Sequence, residues 1–205
     1  MSKGKGKFIV IEGLDGSGKT EVINRLKKDF PDFVYSREPG GTVFGEMIRS
    51  VLLDSKSKKV PPLPMLLGFM SSRASHVQEL VSPSLKKEVT VVSDRFDTST
   101  FAFQLHGQQN RNLEKIFWFL RKNIIKELKI EYIYLRITPE IARLRSKNRD
   151  GNNHFDKQTK DYHQRVFKGY EHFFKKIKCF KIDASKDKES VYRDVYLHVK
   201  KLVNK

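Results

Sequence analysis

Gly13-Leu14-Asp15-Gly16-Ser17-Gly18-Lys19-Thr20 fits the pattern G-x-x-x-x-G-K-[ST] at every fixed position, and that pattern has a mechanism. Glycines let consecutive backbone N–H groups curl around an anion, the lysine reaches the terminal phosphates, and the threonine hydroxyl faces a divalent ion. The mechanism needs a buried strand running into the loop and a helix leaving it. Both neighbours are present: Lys7-Phe-Ile-Val-Ile-Glu12 is a short β-branched run, and Lys19 to Phe30 carries Val22, Ile23, Leu26 and Phe30 at helical spacing. Gly13, Asp15, Gly16, Ser17, Gly18, Lys19 and Thr20 are therefore expected to cradle a nucleoside triphosphate.

The chain has 205 residues, enough for one substantial core and too few for two ordinary domains, so a single domain over 1–205 is expected. Apolar residues make up 38% of it, with fifteen Phe, and no Gly/Ser- or Pro-rich linker interrupts it. Cys179 is the one cysteine, which excludes an intramolecular disulfide and a cysteine-based metal cluster and suits a reducing cytosol. Such a thiol is expected to be buried and inert. The basic tail over 1–6 leads into a four-residue apolar run, too short for a signal-peptide core or a membrane span. A soluble, cytoplasmic protein follows as the expectation. The net charge of +17 is spread over Lys56-Ser57-Lys58-Lys59, Lys86-Lys87, Lys175-Lys176 and Lys200-Lys201. No aromatic-interleaved patch accompanies it, so solvated faces that attract anionic nucleotides fit better than a nucleic-acid partner.

Along the chain, short apolar runs alternate with helical periodicity. Phe33-Val34-Tyr35 reads as a second strand before the turn Arg37-Glu38-Pro39-Gly40-Gly41-Thr42, and Phe44 to Leu53 as a helix. If the sheet is parallel, that turn shares the carboxyl edge with the phosphate loop, so Arg37 is placed for a second anionic ligand. Leu63 to Val81 predicts one long amphipathic helix. On it Phe69 and Arg73, four apart, suit sandwiching and hydrogen-bonding a planar base, although core Phe and surface Arg have the same spacing. Val89-Thr90-Val91-Val92 predicts a third strand ending in Asp94-Arg95. A carboxylate there, with the hydroxyl of Thr20, suits Mg²⁺ bound to ATP, and Arg95 suits phosphate oxygens; a salt bridge between the two neighbours is the plainer alternative.

Phe96 to Gln109 is a polar–aromatic segment in which Ser99, Thr100 and Gln104 could read a base edge or satisfy one another. Glu131 to Ile137 predicts a fourth strand, and Thr138-Pro139-Glu140 starts a helix whose end is crowded by Arg143, Arg145, Lys147 and Arg149 before Asp150-Gly151-Asn152-Asn153. A basic segment over 143–156 could close on phosphates as a lid, or simply complement a helix C-terminus. Asp156 to Lys176 predicts a helix with Tyr162, Val166, Tyr170 and Phe173 inward, Lys178 to Ile182 a fifth strand, and Ser190 to Val203 the closing helix. Five strands separated by helices specify an α/β fold: a five-stranded parallel sheet with helices on both faces.

These residues resemble the thymidylate kinase family from Phe8 to the region of Asp183. The resemblance rests on Phe8-Ile-Val-Ile-Glu-Gly-Leu-Asp-Gly-Ser-Gly-Lys-Thr20, Ser36-Arg-Glu-Pro-Gly-Gly-Thr42, Phe69 with Arg73, Asp94-Arg95, Ser99-Thr100, Phe103-Gln104 and Ile182-Asp-Ala184. It implies a P-loop kinase fold with a short lid, a homodimer, and transfer of the γ-phosphoryl of ATP to dTMP with Mg²⁺. It also implies that Phe69 stacks on thymine, that Arg73 bonds its carbonyl edge, and that Thr100 and Gln104 complete the reading. Glu12, Asp15, Arg37 and Arg95 would surround the acceptor's phosphate and sugar. Gly16 stands where some members carry arginine, and members lacking it carry the catalytic arginine in the lid, which points to Arg145 and Arg149, with Arg143 on the ATP side. Phe103 stands where bacterial members usually have tyrosine, so a hydroxyl near the sugar is missing. The other readings are a P-loop kinase for another pyrimidine nucleotide or a deoxynucleoside, and a P-loop nucleotide-binding protein associated with nucleic acid.

Overall fold

The computed structural model describes residues 6–126, 128–146 and 159–204. Phe8–Glu12 (β1) is buried at all five positions, as the strand of a sheet covered on both faces must be. It leads through the phosphate loop into Lys19–Asp29 (α1). Val34–Arg37 (β2) and Val43–Leu53 (α2) follow, then a 3₁₀ turn at Ser55–Lys59. Pro62–Ser75 (α3) and Ser82–Lys86 (α4) are joined by a wider π-type turn, His76–Val81. The single amphipathic helix expected over Leu63 to Val81 therefore changes pitch at His76.

Val91–Asp94 (β3) precedes Asp97–Thr100 (α5), which widens into a second π-type turn over Phe101–Gly107. A 3₁₀ turn at Arg111–Leu113 opens Glu114–Ile125 (α6), followed by Ile130–Arg136 (β4) and Pro139–Ser146 (α7). Lys160–Lys176 (α8), Phe180–Asp183 (β5) and Lys188–Val203 (α9) complete the chain. The polar–aromatic segment after β3 is thus helical from Asp97 to Gly107.

The sheet order is β2-β3-β1-β4-β5, with parallel pairing throughout. Alternation along the strands sends Ile9 and Ile11 into one core with Val22, Leu26, Val195 and Val199, and Phe8 and Val10 into another with Leu66, Met70 and Phe117. Helices cover both faces, as the strand–helix alternation predicts. The chain reverses its direction of travel across the sheet at β1 and β3, and in such folds ligands bind beyond the carboxyl ends at that point. The register pairs Ile11 with Asp94 and Arg37 with Asp94, so Glu12, Asp94 and Arg37 end three adjacent strands on one edge.

Candidate active site

The phosphate loop joins β1 to α1, whose first-turn backbone N–H groups face the loop with the positive end of the helix dipole. Lys19 is 7% exposed, and its Nζ donates to the carbonyls of Gly13 and Leu14 at 2.9 and 3.0 Å. Burial, then the Arg95 charge, pulls this ammonium down to about 8, against the carboxylates of Asp15, Asp94 and Glu12. Ser17 Oγ is buried without a partner. Gly16 has φ +83°, and a Cβ there would lie 2.4 Å from the Ala142 carbonyl oxygen of α7. An arginine at this position is thus excluded by both backbone conformation and space.

Thr20 and Asp94 line one cavity beside the loop, together with Arg37, Ser36 and Glu46. Asp94 Oδ1 is buried and unpartnered, a carboxylate oxygen with no protein donor. One hydroxyl and one carboxylate, with the rest supplied by phosphate and water, is the donor set Mg²⁺ uses. Among the described residues no three His, Cys, Asp or Glu side chains cluster to hold a metal by themselves.

On the other side of Asp94 lies a cavity of about 220 Å³ lined by Asp15, Arg37, Glu38, Arg49, Phe69, Arg73, Arg95, Ser99, Thr100, Phe103 and Gln104. One end of it is built for charge. Arg95 sits in a left-handed backbone conformation, φ 69°, where β3 ends, a strain that occurs at functional sites. Its guanidinium bonds Asp15, Ser99 Oγ, Tyr170 Oη and the Gly13 carbonyl. Burial works against that cation, and Asp15 foremost among its partners keeps it charged. Burial likewise raises the Asp15 carboxyl, but Arg95 and Lys19 outweigh it and hold the group below its ordinary value.

The other end combines an aromatic face with buried hydrogen-bonding groups. Phe69 is 7% exposed and Arg73 only 1%, so the guanidinium is not a surface group. Arg73 donates through Nε to Glu38 Oε2 and through Nη2 to Thr100 Oγ1, both at 2.8 Å. Gln104 Oε1 is buried with no partner. Phe103 closes the rim against Tyr162 and Tyr170, with the Arg95 guanidinium 5.1 Å from its ring centre.

Several expected placements change. Glu12 is 0% exposed; its carboxylate accepts from Phe96 N, Ser99 N and Oγ, and Tyr170 Oη, so it lies beneath Arg95 and does not line the cavity. Burial raises its pKa, with Arg95 opposing. Arg145 does not reach the loop: its guanidinium donates to the carbonyls of Ala184, Ser185 and Lys186, because α7 directs it toward the turn after β5. Arg143 borders a separate cavity with Glu140, Lys160 and His163. Arg149, and the 147–156 part of the lid, lie outside the described residues. Arg37 is half-exposed and paired with Glu46 at 3.1 Å. Cys179 is only partly buried, and burial pushes its thiol up to about 11, which keeps it unreactive.

Glu38, Arg49 and Tyr170 belong to the site without having been singled out from sequence, and His76 stands behind it, bonded to Glu38. Arg49 reaches the cavity from α2 and donates to the Pro39 carbonyl at 2.6 Å. Glu38 does stand inside the quoted turn, and its position before Pro39 was the available signal. Tyr170 was legible only as an inward residue of α8.

A thymidylate kinase family profile matches residues 11–195. The thymidylate kinase of Carboxydothermus hydrogenoformans is 34% identical over 198 residues, 93% of this chain and 95% of the relative. That of Mycoplasma capricolum is 33% identical over 196 residues, 90% of each. The crystal structure of thymidylate kinase from Ehrlichia chaffeensis superposes with a TM-score of 0.72 at 25% identity, covering 95% of this chain and 98% of that one. With a phosphate-loop sequence between β1 and α1, a neighbouring cavity lined by arginines and Phe69, and relatives matched over nearly their whole length, the chain belongs to the thymidylate kinase family.

Proposed function

We propose that the cavity between Arg95 and Arg73 binds dTMP and that Gly13 to Thr20, with Arg143 beyond it, binds ATP. The chain is a nucleoside monophosphate kinase that converts dTMP to dTDP. The observation that carries the site assignment is the continuity of one cavity from Asp15 and Arg95, beside the phosphate loop, to Phe69, Arg73 and Gln104. Thymine would lie on Phe69, its carbonyl edge toward Arg73 and its remaining polar edge toward Thr100 and Gln104. The 5′-phosphate would meet Arg95 and Arg37, with Ser99 and Asp15 beside it.

Transfer is then a direct in-line displacement. A phosphate oxygen of dTMP attacks the γ-phosphorus, forming the new P–O bond as the bond to the β–γ bridging oxygen breaks and ADP leaves. Both reactants are anions, so alignment and charge neutralisation dominate. Lys19 serves the β- and γ-phosphates and Arg95 holds the acceptor phosphate in line, while Asp15 fixes Arg95. Thr20 and Asp94 would hold Mg²⁺, directly or through water, and the ion would supply charge neutralisation to the phosphates. Gly16 leaves the loop without an arginine of its own. With Arg145 bound to the 184–186 carbonyls, Arg149 becomes the lid residue proposed to reach the transferred group. Such an arginine is worth about 10³ to 10⁵ in rate in related phosphoryl transfers.

A homodimer goes with this function. Phe44, Met47 and Val51 on α2, Leu67 on α3 and Phe119 on α6 are 44 to 68% exposed, an apolar face on helices that pack together, α2 on α3 and α3 on α6. Among the described residues no helix is long and apolar enough to cross a membrane. A cytoplasmic location, where ATP and dTMP are available, is part of the proposal.

The deciding assay follows ATP consumption with dTMP, dUMP, dCMP and deoxynucleosides as acceptors, for the wild type and Lys19→Ala. Preference for dTMP and loss of turnover in the folded variant are expected. Near-normal turnover in Lys19→Ala, or no dTMP preference, rejects the site assignment.

A further inference from the structure

Behind the base end of the acceptor cavity runs a buried chain of polar groups that the transfer mechanism does not use. Ser36 Oγ lies 2.7 Å from His76 Nε2, and His76 Nδ1 lies 2.8 Å from Glu38 Oε1. The second oxygen of Glu38 receives Arg73 Nε at 2.8 Å, and Arg73 Nη2 reaches Thr100 Oγ1. Glu38, Arg73 and His76 are each at most 4% exposed. His76 does not line the cavity. The tautomer that satisfies both neighbours has Nδ1–H donating to Glu38 and Nε2 accepting from the Ser36 hydroxyl.

The setting fixes this histidine closely. It stands where α3 gives way to the π-type turn, the kind of irregularity that re-aims side chains at functional sites. Its ring packs against Phe8 and Phe96, each 6.3 Å away between centres. A Cβ on Gly41 would come within 2.9 Å of His76 Cδ2, so the turn after β2 is seated directly on the ring. From α3, Ser72 accepts from Gly40 N and Ser75 meets Thr42 Oγ1, which clamps that same turn to the helix.

We propose that His76 is a specificity-determining positioning residue: acting through Glu38, it sets the angle of the Arg73 guanidinium and so the choice of a base that presents an acceptor. The proposal rests on the assignment of this cavity to dTMP. A guanidinium has five N–H groups and no acceptor. Here Nε, Nη1 and Nη2 each give one to Glu38, Met70 Sδ and Thr100, which leaves two. Thymine O4 accepts a hydrogen bond, whereas cytosine offers an N4–H₂ donor at the same place. A fork held rigidly by Glu38 turns that difference into rejection, because cytosine would oppose donor to donor. A fork free to swing relaxes away from the clash and loses discrimination. His76 is what prevents Glu38 from swinging, since Arg73 and His76 occupy its two oxygens from opposite sides.

The test is the ratio of kcat/KM for dTMP to that for dCMP in the wild type, H76F, H76N and S36A. H76F keeps an aromatic ring and removes both hydrogen bonds; H76N retains a donor for Glu38. The ratio is expected to fall roughly tenfold in H76F, which loses two hydrogen bonds, to be mostly restored in H76N, and to fall about threefold in S36A, which loses one. A general loss of fold would lower both rates together and leave the ratio unmoved. A folded H76F with a wild-type ratio overturns the proposal. Should H76F not fold, S36A decides: a narrowed ratio supports it and an unchanged one overturns it. A wild type that shows no preference for dTMP overturns the acceptor assignment itself, and the role of His76 with it.

Discussion

The hydroxyl of Tyr170, on α8, lies 3.1 Å from Nη1 of Arg95, and in the same position it meets Glu12 Oε2 and the Gly13 carbonyl at 3.2 Å. One phenol thereby ties Arg95 to the first residue of the phosphate loop. Tyr170 is fully buried, and burial followed by the Glu12 charge raises its pKa well above the ordinary value, so it remains a neutral phenol in the working range. Tyr170→Phe keeps the packing and removes the tie. Because a displacement of about 1 Å at a reacting group can cost about 10²-fold, kcat is expected to fall by one to two powers of ten, roughly. Steady-state kinetics with dTMP check this; an unchanged kcat would show that Arg95 holds its place without the tyrosine.

Asp94 offers a similarly direct test of the cation assignment. Its Oδ1 has no donor in the protein, and Thr20 shares its cavity. Asp94→Asn keeps the shape and removes the charge, so the Mg²⁺ concentration giving half-maximal rate is expected to rise about 10- to 100-fold, the usual scale for losing a supporting ligand. Titrating Mg²⁺ at saturating ATP reads it out, and an unmoved midpoint would assign the ion elsewhere.

The parts legible in the sequence were those set by local periodicity and by short motifs. The run from Phe8 to Thr20 defined the central strand, the loop and the first helix, and the five strand–helix alternations defined the sheet. Arg37, Asp94 and the loop meet because parallel strands end on one edge, a consequence of topology alone. What escaped was long-range. Glu38 reads as a turn carboxylate until His76, 38 residues on, arrives beneath it. Arg145 reads as a lid arginine until the 184–186 carbonyls, about 40 residues away, claim it. The π-type turns at His76 and Phe101 break the 3.6-residue period from which helices were inferred, and no residue type announces them.

The pair Asp97–Arg121 carries stability without touching the cavity. Asp97 is 0% exposed, and it takes Arg121 Nε on one oxygen and the Tyr132 hydroxyl, at 2.8 Å, on the other. This pins the start of α5 to α6 and β4. Arg121→Met strands a buried carboxylate, at a cost of about 3 to 5 kcal/mol. Urea unfolding is expected to show that loss, and Asp97→Asn added to Arg121→Met to recover part of it. Equal midpoints for Arg121→Met and the wild type would mean that the pair is dispensable.

The apolar face formed by α2, α3 and α6 is expected to join two copies of the chain. Val51 and Met47 are 61 and 63% exposed near its middle. Introducing like charge there, as in Met47→Glu with Val51→Glu, leaves the monomer's core untouched and is expected to weaken association by several powers of ten through desolvation of unpaired charge. Sedimentation velocity should show a dimer in the wild type and a monomer near 24.0 kDa in the variant. A wild type that sediments as a monomer at micromolar concentration removes the proposal.

Lys19 makes nucleotide binding depend on pH in a definite direction. Burial, with Arg95 adding to it, lowers the ammonium from 10.5 to about 8 in the folded chain. Phosphates arriving at Nζ favour the charged form and raise that pKa again. Below pH about 7 the lysine is protonated before and after binding, and no proton is exchanged through it. Above pH about 8 the free enzyme increasingly lacks the proton while the complex holds it, so affinity falls as pH rises and ATP binding takes up close to one proton by pH about 9. The triphosphate is fully ionised across this window, since phosphate groups titrate near pH about 6, and contributes no opposing change. Calorimetry at pH 9 in two buffers of different ionisation enthalpy measures the uptake. Lys19→Ala is expected to abolish it, and a wild type that binds ATP at pH 9 with no proton uptake would show that Lys19 keeps its ordinary pKa.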